Sequence, residues 1–257
     1  MMDQGMKEIE VFGIKIKDTT IDKALSLIQQ KVEERKDNCR IYFVNTNTLN
    51  FVFKDGSFVE VLNSADYVFG DGIGVRIACK ILARENLKDN VNGTDLTPML
   101  LNSSLPVKPR CFLLGSTPQD IKSAADFFRE KFPNWTLSGY HQGYIVNDDK
   151  LSLEVVEKIN SAKTDLLLVG MGNPLQEKWL FKYKDDLNVP VSMAIGGLFT
   201  YWAGKLDRAP LWMRKNNLEW LHILRRQPKK WKRYMFGNIH FLYKIMIERF
   251  KSKPVNY

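Results

Sequence analysis

The sequence has few of the side chains that form disulfides or bind metals. Its 257 residues include three histidines and three cysteines, Cys39, Cys79 and Cys111. The cysteines are scattered without a CxxC pair, which favours reduced thiols in a cytosolic compartment over a disulfide framework or a zinc site. No histidine has a partner at metal-ligand spacing. The sequence therefore predicts no bound metal.

Long apolar runs are also absent. No run approaches the roughly 18 apolar residues that cross a bilayer, and the first residues alternate between charged and apolar, unlike a secretory signal. Apolar residues make up 44% of the chain and charged residues 26%, which is typical of a globular protein and not of a disordered one. The sequence predicts a folded protein without a spanning segment or a leader.

Positive charge is concentrated at one end of the chain. The formal net charge is +9; residues 205–257 contain 14 Lys and Arg and 3 Asp and Glu, whereas residues 1–204 contain 24 and 26. A near-neutral body with a basic tail indicates that the tail meets an anion, which could be a nucleic acid, a diphosphate or an acidic membrane. We therefore predict a core over residues 1–204 and a basic, aromatic-rich helical appendage over residues 205–257.

The core alternates between strand and helix patterns. Residues 8–12 and 14–17 alternate across Gly13 and predict a hairpin, and helical patterns include residues 118–131 and 151–161. Buried parallel strands are predicted by apolar runs at residues 41–44, 67–69, 111–114, 166–169 and 191–195, with a weaker run at 135–137. This order predicts an α/β fold, a parallel sheet with helices on both faces.

The predicted strands lead directly into small or polar residues. These follow at residues 45–48, 70–74, 115–117, 170–174 and 196–197. The carboxyl ends of parallel strands share one edge, where ligands bind and helix N-termini offer N–H groups to phosphates. The pattern favours a crevice for a nucleotide or sugar phosphate. Because no GxGxxG and no GxxxxGK[ST] is present, ordinary dinucleotide and P-loop binding are disfavoured.

Several polar residues at this edge have two interpretations. Asp71, between two glycines after a predicted strand, could be a general base for an attacking hydroxyl or the N-cap of the next helix. Asp95 has the same ambiguity, and the pattern favours capping or ligand positioning for it. Gln176 and Lys178 could reach a bound sugar or phosphate, or could lie on a solvated helix face.

Ordered motifs along the chain resemble one family of bacterial glycosyltransferases, the WecG/TagA/CpsF family. The resemblance extends from about Val11 to Tyr234. It rests on the runs NTNTLN, NSADYVFGDGIGVRIA, DNVNGTDL, LLGSTP, GYHQGY, DLLLVGMGNPLQEKW, AIGGLFTYWAGKLDRAP and NNLEWLHILRRQPKKWKRY.

The resemblance implies a fold, a reaction and a place in the cell. The fold would be a modified Rossmann-like core with a C-terminal appendage that completes the active site and holds the membrane. The reaction would be inverting, metal-independent transfer from a nucleotide sugar, expected to be UDP-linked, to a polyprenyl-diphosphate-linked sugar for surface polysaccharide or teichoic acid. No cofactor is expected, because the nucleotide sugar is a substrate. The enzyme would lie peripherally on the inner face of the cell membrane.

The resemblance also implies roles for single residues. Asp71 matches the family's proposed general base and Gln176 its active-site glutamine. The family often has Thr-Pro-Asn where this chain has Asn45, Thr46, Asn47 and Thr48, so the residue in the threonine's role stays open; we take Thr46 as the catalytic candidate. Members often have an arginine where this chain has Asn90.

The remaining candidates are expected to bind the substrates. Without a metal, the leaving diphosphate must meet helix N-termini and arginines, whose planar fork binds phosphate oxygens. The candidates, apart from those above, are Gly93, Asp95, Gly115, Gly170, Gly172, Asn173, Lys178, Gly196, Arg214, Arg225 and Arg226, with Arg233 also available in the tail.

Aromatic residues alternate with basic ones in the tail. After Pro228 this composition favours an anionic membrane surface, while Trp212 and Trp220 are expected to be core residues of a helical subdomain. Self-association into a homo-oligomer is also expected to be possible. The same charges could bind single-stranded nucleic acid, but that would leave Asp71 and the crevice without a purpose. A Rossmann-type nucleotide-binding oxidoreductase is the other alternative.

Overall fold

The computed structural model describes residues 6–36, 38–215, 219–226 and 231–251. The strands are β1 (Lys7–Val11), β2 (Ile14–Asp18), β3 (Cys39–Val44), β4 (Tyr67–Gly70), β5 (Arg110–Gly115), β6 (Thr136–His141), β7 (Leu166–Gly170) and β8 (Val191–Ala194). The helices are α1 (Ile21–Glu34), α2 (Thr46–Val52), α3 (Phe58–Asn63), α4 (Ile73–Ala78), α5 (Gly93–Asn102), α6 (Pro118–Lys131), α7 (Asp149–Ser161), α8 (Leu175–Lys182), α9 (Leu198–Trp202), α10 (Leu211–Lys215), α11 (Glu219–Arg226) and α12 (Trp231–Lys251). A π-helical turn, Cys79–Ala83, continues α4.

Six strands form one parallel sheet in the order β4-β3-β8-β7-β5-β6, and β1 and β2 form a separate antiparallel hairpin. The register pairs the last residues of neighbouring strands, Val44 with Gly70 and Gly115 with Gly170. The polar sequences that follow these strands therefore start at the same level. The predicted α/β fold with a parallel sheet is confirmed.

The prediction for the last-ranked strand, at residues 135–137, covers only part of the observed strand. The apolar run at residues 135–137 overlaps only the first two residues of β6, which spans Thr136–His141. This strand lies at the edge of the sheet and none of its residues is fully buried. A strand with one neighbour and partial exposure does not need the continuous apolar sequence of a central parallel strand, so the sequence marks only its start.

Helices cover both faces of the sheet. One buried cluster joins the hairpin, α2, α3, α7 and α8 to the sheet, and a second joins α1, α5, α6 and α9 to the other face. Trp179 of α8 lies in the first cluster and Phe199 of α9 in the second. The chain therefore leaves the neighbouring strands β7 and β8 towards opposite faces, which opens a crevice at their carboxyl ends.

The C-terminal helix packs onto the first face. Phe241 and Ile245 of α12 are buried in that cluster, and the Asn50 side-chain amide donates to the Gly237 carbonyl (3.0 Å). The division into a core and an appendage at residues 204/205 stays a prediction. No helix in the described ranges is long and apolar enough to cross a bilayer.

One expectation for the tail was wrong. Trp212, which begins α10 together with Leu211, is 61% exposed and is not a core residue. Helix length does not decide this, because the equally short α9 buries Phe199 and Trp202. Trp212 instead lies on the side of α10 that faces solvent, so its residue type alone was a poor guide to burial. The side chain of Trp220 lies outside the described residues.

The two sides of α12 should differ in their effect on stability. We expect Phe241→Ala to lower the free energy of unfolding by about 3 kcal/mol or more, because it leaves a cavity under the helix. Phe236→Ala, on the exposed side of the same helix, should change it by less than about 0.5 kcal/mol. Chemical denaturation of both variants checks this; equal losses would contradict the packing of α12 on the core.

Candidate active site

Asp71 lies at the carboxyl edge of the sheet and does not cap a helix. The N-cap of α4 is Gly72, where no side-chain capping hydrogen bond is present. The Asp71 amide donates to the Val44 carbonyl (2.8 Å), and its carboxylate accepts from the Asn45 side-chain amide (3.5 Å). The backbone bond continues the β3–β4 ladder beyond the strand end and fixes the carboxylate beside the start of α2.

Asn90 supports the backbone next to Asp71. Its side-chain oxygen accepts a hydrogen bond from the Gly72 amide (2.6 Å). Asn90 therefore holds the loop that carries Asp71. Sequence reasoning offered only a substrate contact at Asn90 and did not indicate this contact with the main chain.

The four polar residues after β3 begin α2. The side-chain oxygen of Asn45 accepts from the amides of Asn47 and Thr48 (3.0 and 3.2 Å), and the Thr48 hydroxyl accepts from the Asn45 amide (3.2 Å). This capping box uses Asn45 and Thr48 for helix initiation. Thr46 faces α4 so closely that a Cβ at Gly74 would lie 2.0 Å from its hydroxyl oxygen.

Gln176 is buried between two strand ends. Its side-chain oxygen accepts from the amides of Gly172 (3.2 Å) and Gly196 (3.0 Å), and its side-chain nitrogen donates to Glu177 (2.8 Å). Asn173 also donates to this Glu177 oxygen. The side chain of Gln176 therefore ties the loop after β7 to the loop after β8 and does not lie on a solvated helix face.

The glycines of the edge fall into two groups. At Gly115 an added Cβ would lie 2.3 Å from the Gly170 carbonyl oxygen, and at Gly170 it would lie 2.7 Å from the Phe199 ring. Gly93 packs in the same way against Phe43. These positions need glycine because neighbouring elements approach closely. In contrast, Gly172 and Gly196 have positive φ angles and open space where a Cβ would be, which leaves their side of the edge accessible.

Two arginines of the C-terminal segment converge on Asp95. The guanidinium of Arg208 contacts the Asp95 carboxylate (2.7 Å) and the Thr94 carbonyl (2.7 Å), and Arg214 also pairs with Asp95. The helix cap at this position is Asn92, whose side-chain oxygen accepts from the Asp95 amide (2.8 Å). The cap of α5 is thus Asn92 and not Asp95, whose carboxylate pairs with the two arginines; its use in ligand positioning stays a prediction.

Arg208 is a residue that sequence reasoning missed. It lies in the motif GKLDRAP, within a segment whose basic character was considered only as a whole. The available signal was position, since Arg208 is the first arginine after the glycines that follow β8. A contact separated from Asp95 by more than a hundred residues has no local pattern.

Other predicted residues lie away from this cluster or pair elsewhere. Lys178 binds Asp55 (2.6 Å) in the connection between α2 and α3, and Arg226 binds Asp207 (2.7 Å). Arg225 is exposed on α11. The side chain of Arg233 lies outside the described residues. Among the side chains that the structure describes, no three His, Cys, Asp or Glu are grouped as metal ligands would be.

Comparison with known proteins identifies the family. The sequence profile of the glycosyl transferase WecG/TagA/CpsF family matches residues 9–255. The chain belongs to this family. It is 30% identical to a Bacillus subtilis (strain 168) protein over 90% of the chain and 88% of that protein, and 29% identical to a Staphylococcus aureus (strain MW2) protein over 96% and 95%. Both relatives are named N-acetylglucosaminyldiphosphoundecaprenol N-acetyl-beta-D-mannosaminyltransferase.

The protein is therefore a glycosyltransferase, as the motif resemblance predicted. Membership in the WecG/TagA/CpsF family fits the transfer reaction and does not fit the alternatives of a Rossmann-type oxidoreductase or a nucleic-acid-binding protein. The structure brings together Asn45, Asp71 and Asn90 at one part of the sheet edge. It brings together Asn173, Gln176 and Gly196 at another.

Glu177 gives this glycosyltransferase a pH-dependent stability. Burial raises the pKa of its carboxyl group to about 7, from an ordinary value of 4.5. The folded protein thus binds this proton more tightly than the unfolded chain does, so the stabilising contribution is complete below about pH 4.5 and is lost as the pH rises through about 7. Tyr42, whose hydroxyl donates to the Glu177 carbonyl (3.3 Å), stays neutral because burial raises its pKa.

We expect Glu177→Gln to gain stability relative to wild type as the pH rises from about 5 to about 8, by about 1–3 kcal/mol, because glutamine carries no charge to bury. Denaturant unfolding of both proteins across this range measures the difference. Glu157→Gln, on the exposed face of α7, is the control. Parallel pH curves for wild type and Glu177→Gln would contradict the shifted pKa.

Proposed function

We propose that this glycosyltransferase moves a sugar from a UDP-sugar to a polyprenyl-diphosphate-linked sugar, with inversion and without a metal. The observation that carries the proposal is the placement of Asp71 at the carboxyl edge beside Asn45, in a chain whose family profile covers residues 9–255. The names of the two relatives, which describe transfer to a sugar-diphosphate-undecaprenol, support the acceptor class.

Asp71 supplies the base for the displacement. Its carboxylate takes the proton from the acceptor hydroxyl as that oxygen forms a bond to the anomeric carbon of the donor. The bond between the anomeric carbon and the diphosphate oxygen breaks, and UDP leaves with the electron pair. Attack from the face opposite the leaving group inverts the anomeric configuration. Asn45, through its contact with the carboxylate, orients the base.

Positive charge for the leaving group comes from the Asp95 cluster. Arg208 and Arg214 carry two positive charges and Asp95 one negative charge, so the cluster has a net positive charge. Both arginine side chains remain partly exposed, at 22% and 27%. A guanidinium that already pairs with a carboxylate keeps further N–H donors for phosphate oxygens. The cluster can therefore stabilise a diphosphate without a divalent cation.

The donor is proposed to carry an N-acetylhexosamine. Both relatives are named as N-acetyl-mannosaminyl transferases, and the chain is 30% identical to one of them over nearly its whole length. Hexoses and uronic acids remain the other sugars to test. The loops that would hold the donor start at Asn45, Gly93 and Gly170, and Thr46, Asn47, Lys178 and Arg225 are candidates for contacts with the bound substrates.

Transfer should depend on Asp71 and not on a metal. With EDTA present, mass spectrometry should detect product from a short-chain polyprenyl-diphosphate-linked sugar and one member of a UDP-sugar panel. Asp71→Asn should lower kcat by about 100-fold or more, because the base is lost while the side-chain shape remains.

Asp126→Asn, an exposed carboxylate on α6 that pairs with Arg129, is the control and should keep full activity. Undiminished turnover by Asp71→Asn would remove Asp71 from its role as base. Product that disappears with EDTA and returns with a divalent cation would contradict the metal-independent mechanism.

We further propose that α12 attaches the enzyme to the inner face of the cytoplasmic membrane. Its exposed side has apolar residues at helical spacing, namely Phe236, Ile239, Tyr243, Met246 and Phe250. Basic residues precede and accompany this stripe in the sequence. An apolar face flanked by cations lies favourably in an anionic lipid interface, where each cation contributes on the order of 1 kcal/mol.

Replacing Phe236 and Tyr243 by Ser should reduce binding to anionic phospholipid vesicles by about tenfold or more, since two buried ring contacts with the lipid are lost. Vesicle co-sedimentation measures the loss. Tyr144→Ser is the control, because Tyr144 is an exposed aromatic residue outside α12. Unchanged vesicle binding would contradict the membrane role. So would a change from oligomer to monomer, measured by ultracentrifugation, that leaves vesicle binding intact. The latter result would show instead that the stripe joins copies of the chain.

A further inference from the structure

Glu177 is a fully buried carboxyl group at the start of α8. None of its side-chain surface is exposed, and one carboxyl oxygen accepts from the side-chain amides of Asn173 and Gln176. The second oxygen has no hydrogen-bond partner. Within the described residues no cation pairs with Glu177; the neighbouring Lys178 turns to Asp55 instead.

An acidic side chain in such a place is unfavourable for folding alone. Glutamate is almost never fully buried unless it is paired, and apolar residues of similar volume often serve a buried position equally well or better. A position that packs only against a core could hold methionine or leucine. The carboxyl group is therefore best explained by the two amides that it accepts from.

Both of these amides lie between the end of β7 and the first turn of α8. Asn173 occupies the loop after β7, and Gln176 the first turn of α8. The Gln176 nitrogen points to Glu177, which leaves the Gln176 oxygen facing the amides of Gly172 and Gly196. If the side-chain amide of Gln176 rotated by half a turn, its NH2 group would meet two N–H donors. The carboxylate of Glu177 on one side and the two glycine amides on the other therefore act together to fix the orientation of the Gln176 side chain.

We propose that Glu177 is a positioning residue of the donor site. By fixing the orientation of Gln176, it holds the loop after β7 and the loop after β8 at the spacing at which their accessible glycines receive the nucleotide. The inference rests on the proposed function, because it assigns these loops to the UDP part of the donor. Glu177 itself does not touch the substrate; it acts through Gln176 and Asn173.

The test uses UDP as the ligand and the full-length protein. Glu177→Met removes the acceptor, Glu177→Gln keeps an acceptor oxygen, and Glu177→Asp withdraws the oxygens by one methylene. Ser152→Ala is the matched control, because Ser152 is buried on the same face of the sheet and accepts from Trp179 (3.2 Å) but does not contact either loop. Calorimetry gives the Kd for UDP, and amide exchange reports on Gly172 and Gly196.

We expect Glu177→Met and Glu177→Asp to weaken UDP binding by roughly tenfold or more, since a small misplacement of binding groups is costly, and to speed amide exchange at both glycines. Glu177→Gln should stay within about threefold of wild type, because it can still accept from both amides. In the transfer assay the loss should appear in the donor KM, with the acceptor KM unchanged. Should Glu177→Met fail to fold, Glu177→Asp decides.

Two results would overturn the inference while leaving the proposed function intact. One is wild-type affinity for UDP in both Glu177→Met and Glu177→Asp. The other is an equal loss in Ser152→Ala, which would show that any destabilisation of this face has the same effect. If wild type itself does not bind UDP, the proposed function fails instead, and the inference fails with it.

Discussion

Hydrogen bonds that continue the parallel ladder past the strand ends hold the active-site edge together. The Asp71 amide bonds to the Val44 carbonyl, and the Ile195 amide bonds to the Val169 carbonyl, each at 2.8 Å. These bonds set the level at which every following loop begins. Without this alignment Asp71 and Asn45 would have no fixed distance, and Gln176 could not reach two strand ends at once.

The charged side chains at this edge are held by one carboxylate that two arginines share. Asp95 pairs with two arginines from the segment after β8, and so joins the start of the C-terminal region to the start of α5. A partly exposed ion pair adds little stability, so the value of this cluster lies in where it places the arginines. The same segment then leads towards α12, whose buried side returns to the core at Phe241 and Ile245. The C-terminal region is thus tied to the site at one end and to the core at the other.

The strands and the helices α6 and α7 could be predicted from sequence because their signals are local. Central parallel strands are continuously apolar, and α6 was predicted with its observed bounds, since Thr117 and Pro118 mark its start. The prediction covered only the start of the edge strand β6, because a partly exposed strand lacks a continuous apolar run. Trp212 was assigned to the core from its residue type alone, although a short helix at the surface left it exposed.

The placement of the candidate site residues was predictable in part. Position after a strand and between glycines singled out Asp71, and the motif indicated Gln176. The pairing of Arg208 with Asp95 and the bond from Gly72 to Asn90 depend on tertiary contacts that no spacing indicates. The burial of Glu177 could not be predicted either, because a glutamate in the first turn of a helix usually indicates a favourable N-terminal charge and not a buried carboxyl group.

The most direct test of a donor site at this edge is backbone amide exchange with and without UDP, read along the whole chain. Protection is expected in the loops that follow β3, β4, β7 and β8, at residues 45–48, 70–74, 170–174 and 196–197, and at residues 93–95 beside the arginine pair. Little change is expected at the hairpin and at the surface between Phe12, Phe53 and Ile247. Protection confined to that surface, or no protection anywhere, would contradict a donor site at the carboxyl edge.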